Sequence, residues 1–208
     1  MTKPAKKETD GDTNNLIEML GDARKFTIKL KKEFDALPME AQVLMVEMED
    51  HLTINIELLR YLLSRFNRGI YITVNQPIHS FIPKLEGEKI DHKRLYFIDG
   101  ITKKSAGKEL EGDAYYYIET PRDLVDLIFD LEKIVKKIDL EKEKVFVVLD
   151  SITTLLIYND QRVIEKFAHN MVGRMRSWKM ASIMLTSAQT GGEIATFLEQ
   201  FCDKKITI

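Results

Sequence analysis

The chain has 208 residues, 44% hydrophobic and 31% charged, a balance that supplies one globular domain with a core. Its 31 basic and 33 acidic residues leave a net charge of −2, unlike the basic footprint of a dedicated nucleic-acid binder. One cysteine, Cys202, excludes a disulfide-stapled fold, and no apolar run approaches the roughly 18 residues of a membrane span.

Residues 1–15, with Pro4 and Gly11 among charged and polar side chains, hold too little apolar surface to fold and read as a disordered tail. They contain no signal-peptide core, which with the lone cysteine points to the cytoplasm. An N-terminal helix is expected over 16–38. Its Leu16, Leu20, Ala23, Thr27, Leu30, Phe34 and Leu37 recur at steps of four and three, a heptad seam that Pro38 closes. This seam serves either packing on its own domain or a partner or self-association contact, through Leu16, Leu20, Leu30, Phe34 and Leu37.

Residues 41–208 alternate between strand and helix patterns. Short apolar runs mark strands at Gln42–Val46, Ile70–Val74, Arg94–Ile98, Val145–Leu149, Ala181–Thr186 and Lys205–Ile208. Runs apolar throughout, such as Val145–Leu149, suit strands covered on both faces, as in a parallel sheet. Helical patterns lie between them at Leu52–Arg68, Ile78–Lys89, Pro121–Lys137 and Gln161–Lys179. The third opens on a start signal, Thr120 as cap, Pro121 at the first helical position and Asp123 at the capping-box position. Trp178 and the methionines Met171, Met175 and Met180 read as core. The expected fold is an open, doubly wound, mostly parallel α/β sheet with helices on both faces, plus the N-terminal helix.

In such sheets ligands bind where strand ends lead into helices, so those loops decide function. After the first strand comes Glu47-Met48-Glu49-Asp50-His51-Leu52-Thr53, where a phosphate cradle would read GxxxxGK[ST]. No glycine stands between Gly21 and Gly69, and no lysine between Lys32 and Lys84. Two like charges about 4 Å apart repel by roughly 4 kcal/mol at an effective dielectric near 20, so three carboxylates here oppose a phosphate. The same residues, Glu47, Glu49, Asp50 and His51, offer a metal-site alternative to simple helix-start acids. The loop Asn75-Gln76-Pro77 reads as a plain strand-to-helix turn. Asp99–Glu109 is rich in glycine and lysine, but its Gly100 and Gly107 are wrongly spaced for a phosphate loop, and it reads as a mobile surface loop. Asp150 closes the Val145–Leu149 strand either as a metal-orienting carboxylate or as a cap of the next turn. Thr186–Glu193 is a polar connection with Gly191-Gly192. No histidine pair, nucleophile elbow or cysteine motif accompanies these loops.

The order of these strings resembles the RecA-superfamily ATPase domain of the KaiC-like, archaeal branch. Arg68–Pro77 is similar to its second strand and turn, Lys93–Asp99 to its third strand, and Val145–Thr153 to its Walker-B strand. Ala181–Ser187 and Phe201–Ile208 are similar to the strands that follow. The resemblance implies a P-loop NTPase fold and a tendency to assemble, with Asp150 at the Walker-B position as the one metal candidate. The family's phosphate loop is missing at Glu47–Thr53, and Asn75 and Gln76 stand where its general-base glutamate belongs. No catalytic residue is therefore expected, and no cofactor. The expected function is that of a pseudo-ATPase acting as a regulatory or protein-interaction module. One alternative is an unorthodox ATP/Mg or small-ligand switch using Asp99, Asp150, Ser187 and the Lys103–Lys108 loop with its Lys108. Another is a nucleic-acid accessory protein using Lys103, Lys104, Lys108, Arg174, Arg176 and Lys179.

Overall fold

The computed structural model describes residues 22–35, 43–48, 51–187 and 193–207. In chain order these form α1 (Asp22–Asp35), β1 (Val43–Met48), α2 (His51–Arg65), β2 (Arg68–Thr73), α3 (Ile78–Gly87), β3 (Leu95–Asp99) and β4 (Tyr115–Tyr117). They continue with α4 (Leu124–Lys137), β5 (Val145–Asp150), α5 (Ile152–Tyr158), α6 (Gln161–Ser177), β6 (Ala181–Ser187), α7 (Glu193–Glu199) and β7 (Lys204–Thr207). The seven strands make one sheet in the order β4-β3-β2-β5-β6-β1-β7, and every pairing is parallel.

Alternation along each strand sends side chains to two opposite cores. Ile70, Ile72, Val145, Val147 and Leu149 pack with α4, α5, α6 and α7, while Tyr71, Phe97, Phe146 and Val148 pack with α1, α2 and α3. The doubly wound architecture follows from this division. Met171, Met175 and Met180 are buried, and Trp178 packs partly buried against the same core.

Several boundaries differ from the sequence expectation for identifiable reasons. β1 runs on to Met48, with Glu47 paired to Thr186 and Met48 to Ser187, so Glu47 belongs to a strand and not to a loop. α4 begins at Leu124 instead of Pro121. Thr120 Oγ1 accepts from the Arg122 amide at 3.3 Å, and the Asp123 amide donates to the Thr120 carbonyl at 2.9 Å, so Thr120-Pro121-Arg122-Asp123 is a turn in front of the helix. Proline fixes a φ near −65°, which suits a turn as well as a first helical position. β4, α5 and α7 are additional elements. The Asp99–Glu109 segment is a series of hydrogen-bonded turns, with the Ser105 amide donating to Ile101 O at 3.0 Å and that of Gly107 to Thr102 O at 2.9 Å.

The N-terminal helix packs on its own domain. Leu30 and Phe34 are buried, Phe34 meets the Tyr61 ring edge to face at 5.3 Å, and Thr27 Oγ1 donates to Glu57 of α2 at 2.9 Å. Glu33 pairs with Lys204 of β7 and Asp35 with Arg65. Of the two uses left open for the seam, Leu30 and Phe34 serve packing on the chain's own domain, against α2. Leu16, Leu20 and Leu37, and the tail at residues 1–15, lie outside the described residues.

Candidate functional site

Parallel strands bring their carboxyl ends to one edge. Register aligns Tyr117, Asp99, Thr73 and Asp150 in a row across β4, β3, β2 and β5. A cavity of about 310 Å³ opens at this edge, lined by residues of α2, β5, α5 and the β2–α3 connection. Asp150 stands in its wall and is almost fully buried.

The Asp150 carboxylate is held by neutral donors from three elements. Its Oδ2 accepts from Asn55 Nδ2 of α2 at 2.8 Å and from Tyr71 Oη of β2 at 2.7 Å. Its Oδ1 accepts from Asn75 Nδ2, just past β2. Burial, reinforced by the charge and hydrogen bond of Asp150, pushes the Tyr71 phenol well above its ordinary value near 10. Tyr71 therefore stays protonated and donating across the whole physiological range. Asn75 is held in turn, because its Oδ1 accepts from Thr154 Oγ1 of α5. On the rim Lys84 Nζ donates to Gln76 Oε1 at 3.2 Å.

α5 starts at this cluster, and Ser151 caps it, its Oγ accepting from the Thr154 amide at 3.2 Å. Ser151 thus fills the capping role that the sequence left open for Asp150, whose side chain turns back to α2 and β2. The Asp150–Ser151 peptide bond is cis. Thr153 latches α5 to β6: its Oγ1 accepts from the Ser187 amide at 2.8 Å and lies 3.3 Å from Thr186 Oγ1. One polar atom in this cluster lacks a partner among the described residues. Asn55 lines the cavity at 1% exposure, and its Oδ1 accepts nothing.

The other sequence candidates separate from this cluster. Asp99 is fully buried, and its two oxygens accept from the amides of Ile78, Ile101 and Thr102 at 2.7–2.8 Å and from Thr102 Oγ1 at 2.6 Å. It anchors the start of α3 and the turn after β3 and is not part of the lining of the Asp150 cavity. Lys108 is exposed on that surface connection, away from the cavity lining. Ser187 bonds to the site through its backbone amide, which donates to Thr153 Oγ1. Basic candidates are dispersed and engaged: Lys103 pairs with Glu119 at 2.6 Å, Arg174 with Glu132 and Arg176 with Asp203 at 2.9 Å, while Lys104 lies over the Tyr158 ring. Glu49 and Asp50, and the side chains of Glu47 and His51, lie outside the described residues. Among the described residues no group of three or more His, Cys, Asp or Glu side chains is gathered for a metal, and no helix is long and apolar enough to cross a membrane.

Asn55 and Tyr71 were not singled out by the motifs, yet both carry a signal. Tyr71 interrupts a buried apolar strand with a hydroxyl that needs a partner, and Asn55 sits on the apolar face of α2 among Ile54, Leu58, Leu59 and Leu62.

Comparison with known proteins agrees with this architecture. A family model described as "ATPase: KaiC" matches residues 58–206, from within α2 to β7. Among proteins of curated function none matches. Many solved structures share the fold, two archaeal proteins among them. A KaiC-like protein of the hyperthermophilic archaeon Pyrococcus horikoshii OT3 is 12% identical, with a TM-score of 0.57 over 81% of this chain and 71% of that one. An uncharacterized protein of Pyrococcus horikoshii, solved in complex with an unknown peptide, is 13% identical, with a TM-score of 0.65 over 86% of this chain and 82% of that one.

Proposed function

The chain belongs to the KaiC ATPase family, and from that premise we propose that it is a non-hydrolysing member that acts by binding another protein. The observation that carries this reading is the connection from β1 to α2. Between Met48, which ends the strand, and His51, which begins the helix, the sequence holds only Glu49 and Asp50, with no glycine and no lysine. A GxxxxGK[ST] cradle needs several glycine-permitted turns to converge backbone amides on a phosphate, and a lysine to neutralise it. Two acidic residues supply neither.

The general-base position supports the same reading. Asn75 takes the place of a glutamate and spends its amide on Asp150 and Thr154. An amide cannot accept the proton of an attacking water, and a positioned base is worth about 10²–10⁴ in rate. Asp150 keeps the Walker-B place, but its oxygens are oriented by Asn55, Tyr71 and Asn75 and so by the protein's own interior. A protein-binding role accords with the fold neighbour that was solved with a peptide.

Isothermal titration with Mg-ATP and Mg-ADP, together with a phosphate-release assay, tests this proposal. The expected result is no saturable heat at micromolar protein and no release above buffer. Micromolar affinity or turnover would overturn it. The unpartnered Asn55 Oδ1 favours a second reading, a small-ligand switch at the Asp150 cavity. That reading requires a ligand-dependent rise in melting temperature that Asp150→Ala abolishes.

A further inference from the structure

On the face of the sheet opposite α1, α2 and α3, α6 and α7 border an open groove of about 840 Å³, separate from the Asp150 cavity. Phe197 and Phe201 form its apolar side. Their rings meet edge to face at 4.9 Å, and the His169 ring lies 5.1 Å from Phe201. Arg162 and Lys166 line the other side, exposed on successive turns of α6, and neither has a carboxylate partner among the described residues. Arg174, one wall further along, is already held by Glu132 of α4 and by Asn170.

Gly173 lies in the interior of this 17-residue helix and lines the groove. A glycine there weakens a helix relative to alanine, so its presence calls for a reason. Packing among the described residues gives none, since a Cβ at Gly173 would meet nothing of them within 4 Å. The missing side chain keeps room for a backbone that approaches from outside. Ser177, one turn on, is also small and lines the same groove. From Arg162 to Ser177 the wall runs about 22 Å, the length of roughly four helical turns.

We propose that this groove docks an acidic amphipathic helix of a partner protein, with apolar residues on Phe197 and Phe201 and carboxylates against Arg162 and Lys166. The inference rests on the reading of the chain as a protein-binding domain and gives that reading a place and a ligand chemistry. Helix-in-groove recognition uses anchors at i, i+3, i+4 and i+7, which an elongated groove along α6 accommodates. Ring geometry decides between a protein and a nucleic acid here: the two phenyl rings engage each other edge to face instead of lying open for base stacking.

The test is a selection of helical peptides from a random displayed library against the full chain, followed by fluorescence anisotropy of the synthesised, labelled winners. The expected winners carry acidic residues beside an apolar i, i+3, i+4, i+7 face. The substitution Gly173→Phe, and separately the pair Arg162→Glu with Lys166→Glu, should each weaken binding at least tenfold. The charge-reversal pair lies on exposed helix surface and keeps the test informative if Gly173→Phe folds poorly. Selection of no peptide, selection of basic peptides, or competition by a single-stranded oligothymidine would overturn the proposal. So would a dimer that the charge-reversal pair dissociates, since the occupant would then be a second copy. Peptides that bind both variants as tightly as the parent would overturn the groove while leaving the protein-binding reading intact, whereas ATP turnover by the parent chain would remove that reading by itself.

Discussion

Replacing Tyr71 by phenylalanine isolates the bond that orients Asp150. The ring packs against Phe81 at 5.0 Å and Phe97 at 6.2 Å between centroids, and phenylalanine keeps both contacts. Only the donor to Asp150 Oδ2 is lost, at a carboxylate that is 1% exposed. A hydrogen bond to a charged group contributes about 1.5–3 kcal/mol, and for a chain of this size each kcal/mol moves the melting temperature by about 2–4 °C. Tyr71→Phe should therefore melt roughly 3–12 °C below the parent at pH 7. The alkaline limb gives an independent readout. Tyr71 ionises well above 10 in the folded chain and near 10 in the unfolded one, so its contribution is intact below pH 10 and is lost as pH rises toward the folded value. Urea titrations between pH 9 and 11 should show the parent losing stability more steeply than Tyr71→Phe, by up to about 1.4 kcal/mol per pH unit. Tyr61 and Cys202, both pushed up to about 12 chiefly by burial, add to the alkaline loss equally in both proteins. A variant within about 0.5 kcal/mol of the parent at pH 7, with the same alkaline slope, would refute the assignment.

Two further substitutions probe the packing that positions the site. Phe34→Ala removes a buried ring from the α1–α2 contact and should lower unfolding free energy by about 3–5 kcal/mol in urea titrations, with a midpoint independent of protein concentration. A concentration-dependent midpoint in the parent would mean that the seam joins two molecules. Gly69→Ala would put a Cβ 2.2–2.7 Å from the Phe146 ring, an overlap expected to cost about 1–3 kcal/mol by thermal melting. Adding Phe146→Leu should recover part of that loss, and an unchanged Gly69→Ala melt would contradict the packing.

The sheet was legible in the sequence wherever strands are apolar on both faces. Val145 to Leu149 reads as buried and is buried, and the parallel order follows from the intervening helical patterns. Elements without such periodicity escaped. β4 is three tyrosines at the sheet edge, too short to alternate visibly. α5 is Ile152-Thr153-Thr154-Leu155-Leu156-Ile157-Tyr158, whose β-branched start favours a strand by propensity and becomes helical through the Ser151 cap and burial of Ile152 and Leu155. At the candidate site, Asp150 stands out in the sequence because it is a carboxylate at the tip of an apolar strand. Its partners Asn55, Tyr71 and Asn75 stand 95, 79 and 75 residues away in sequence, and it takes the pairing of β2 with β5 and the packing of α2 on the sheet to bring them to it.

The lateral strands of the sheet have consequences for how the molecule keeps to itself. β4 and β7 are its shortest, with three and four residues, and β7 begins with Lys204 and Lys205. An open ladder of amides and carbonyls invites another chain to extend it, and brevity with ammonium groups discourages that invitation. Lys204 is further committed to Glu33 of α1, which fastens the helix to the border strand. Growth of fibrils by strand addition is thereby disfavoured at both flanks of the sheet that the described residues form.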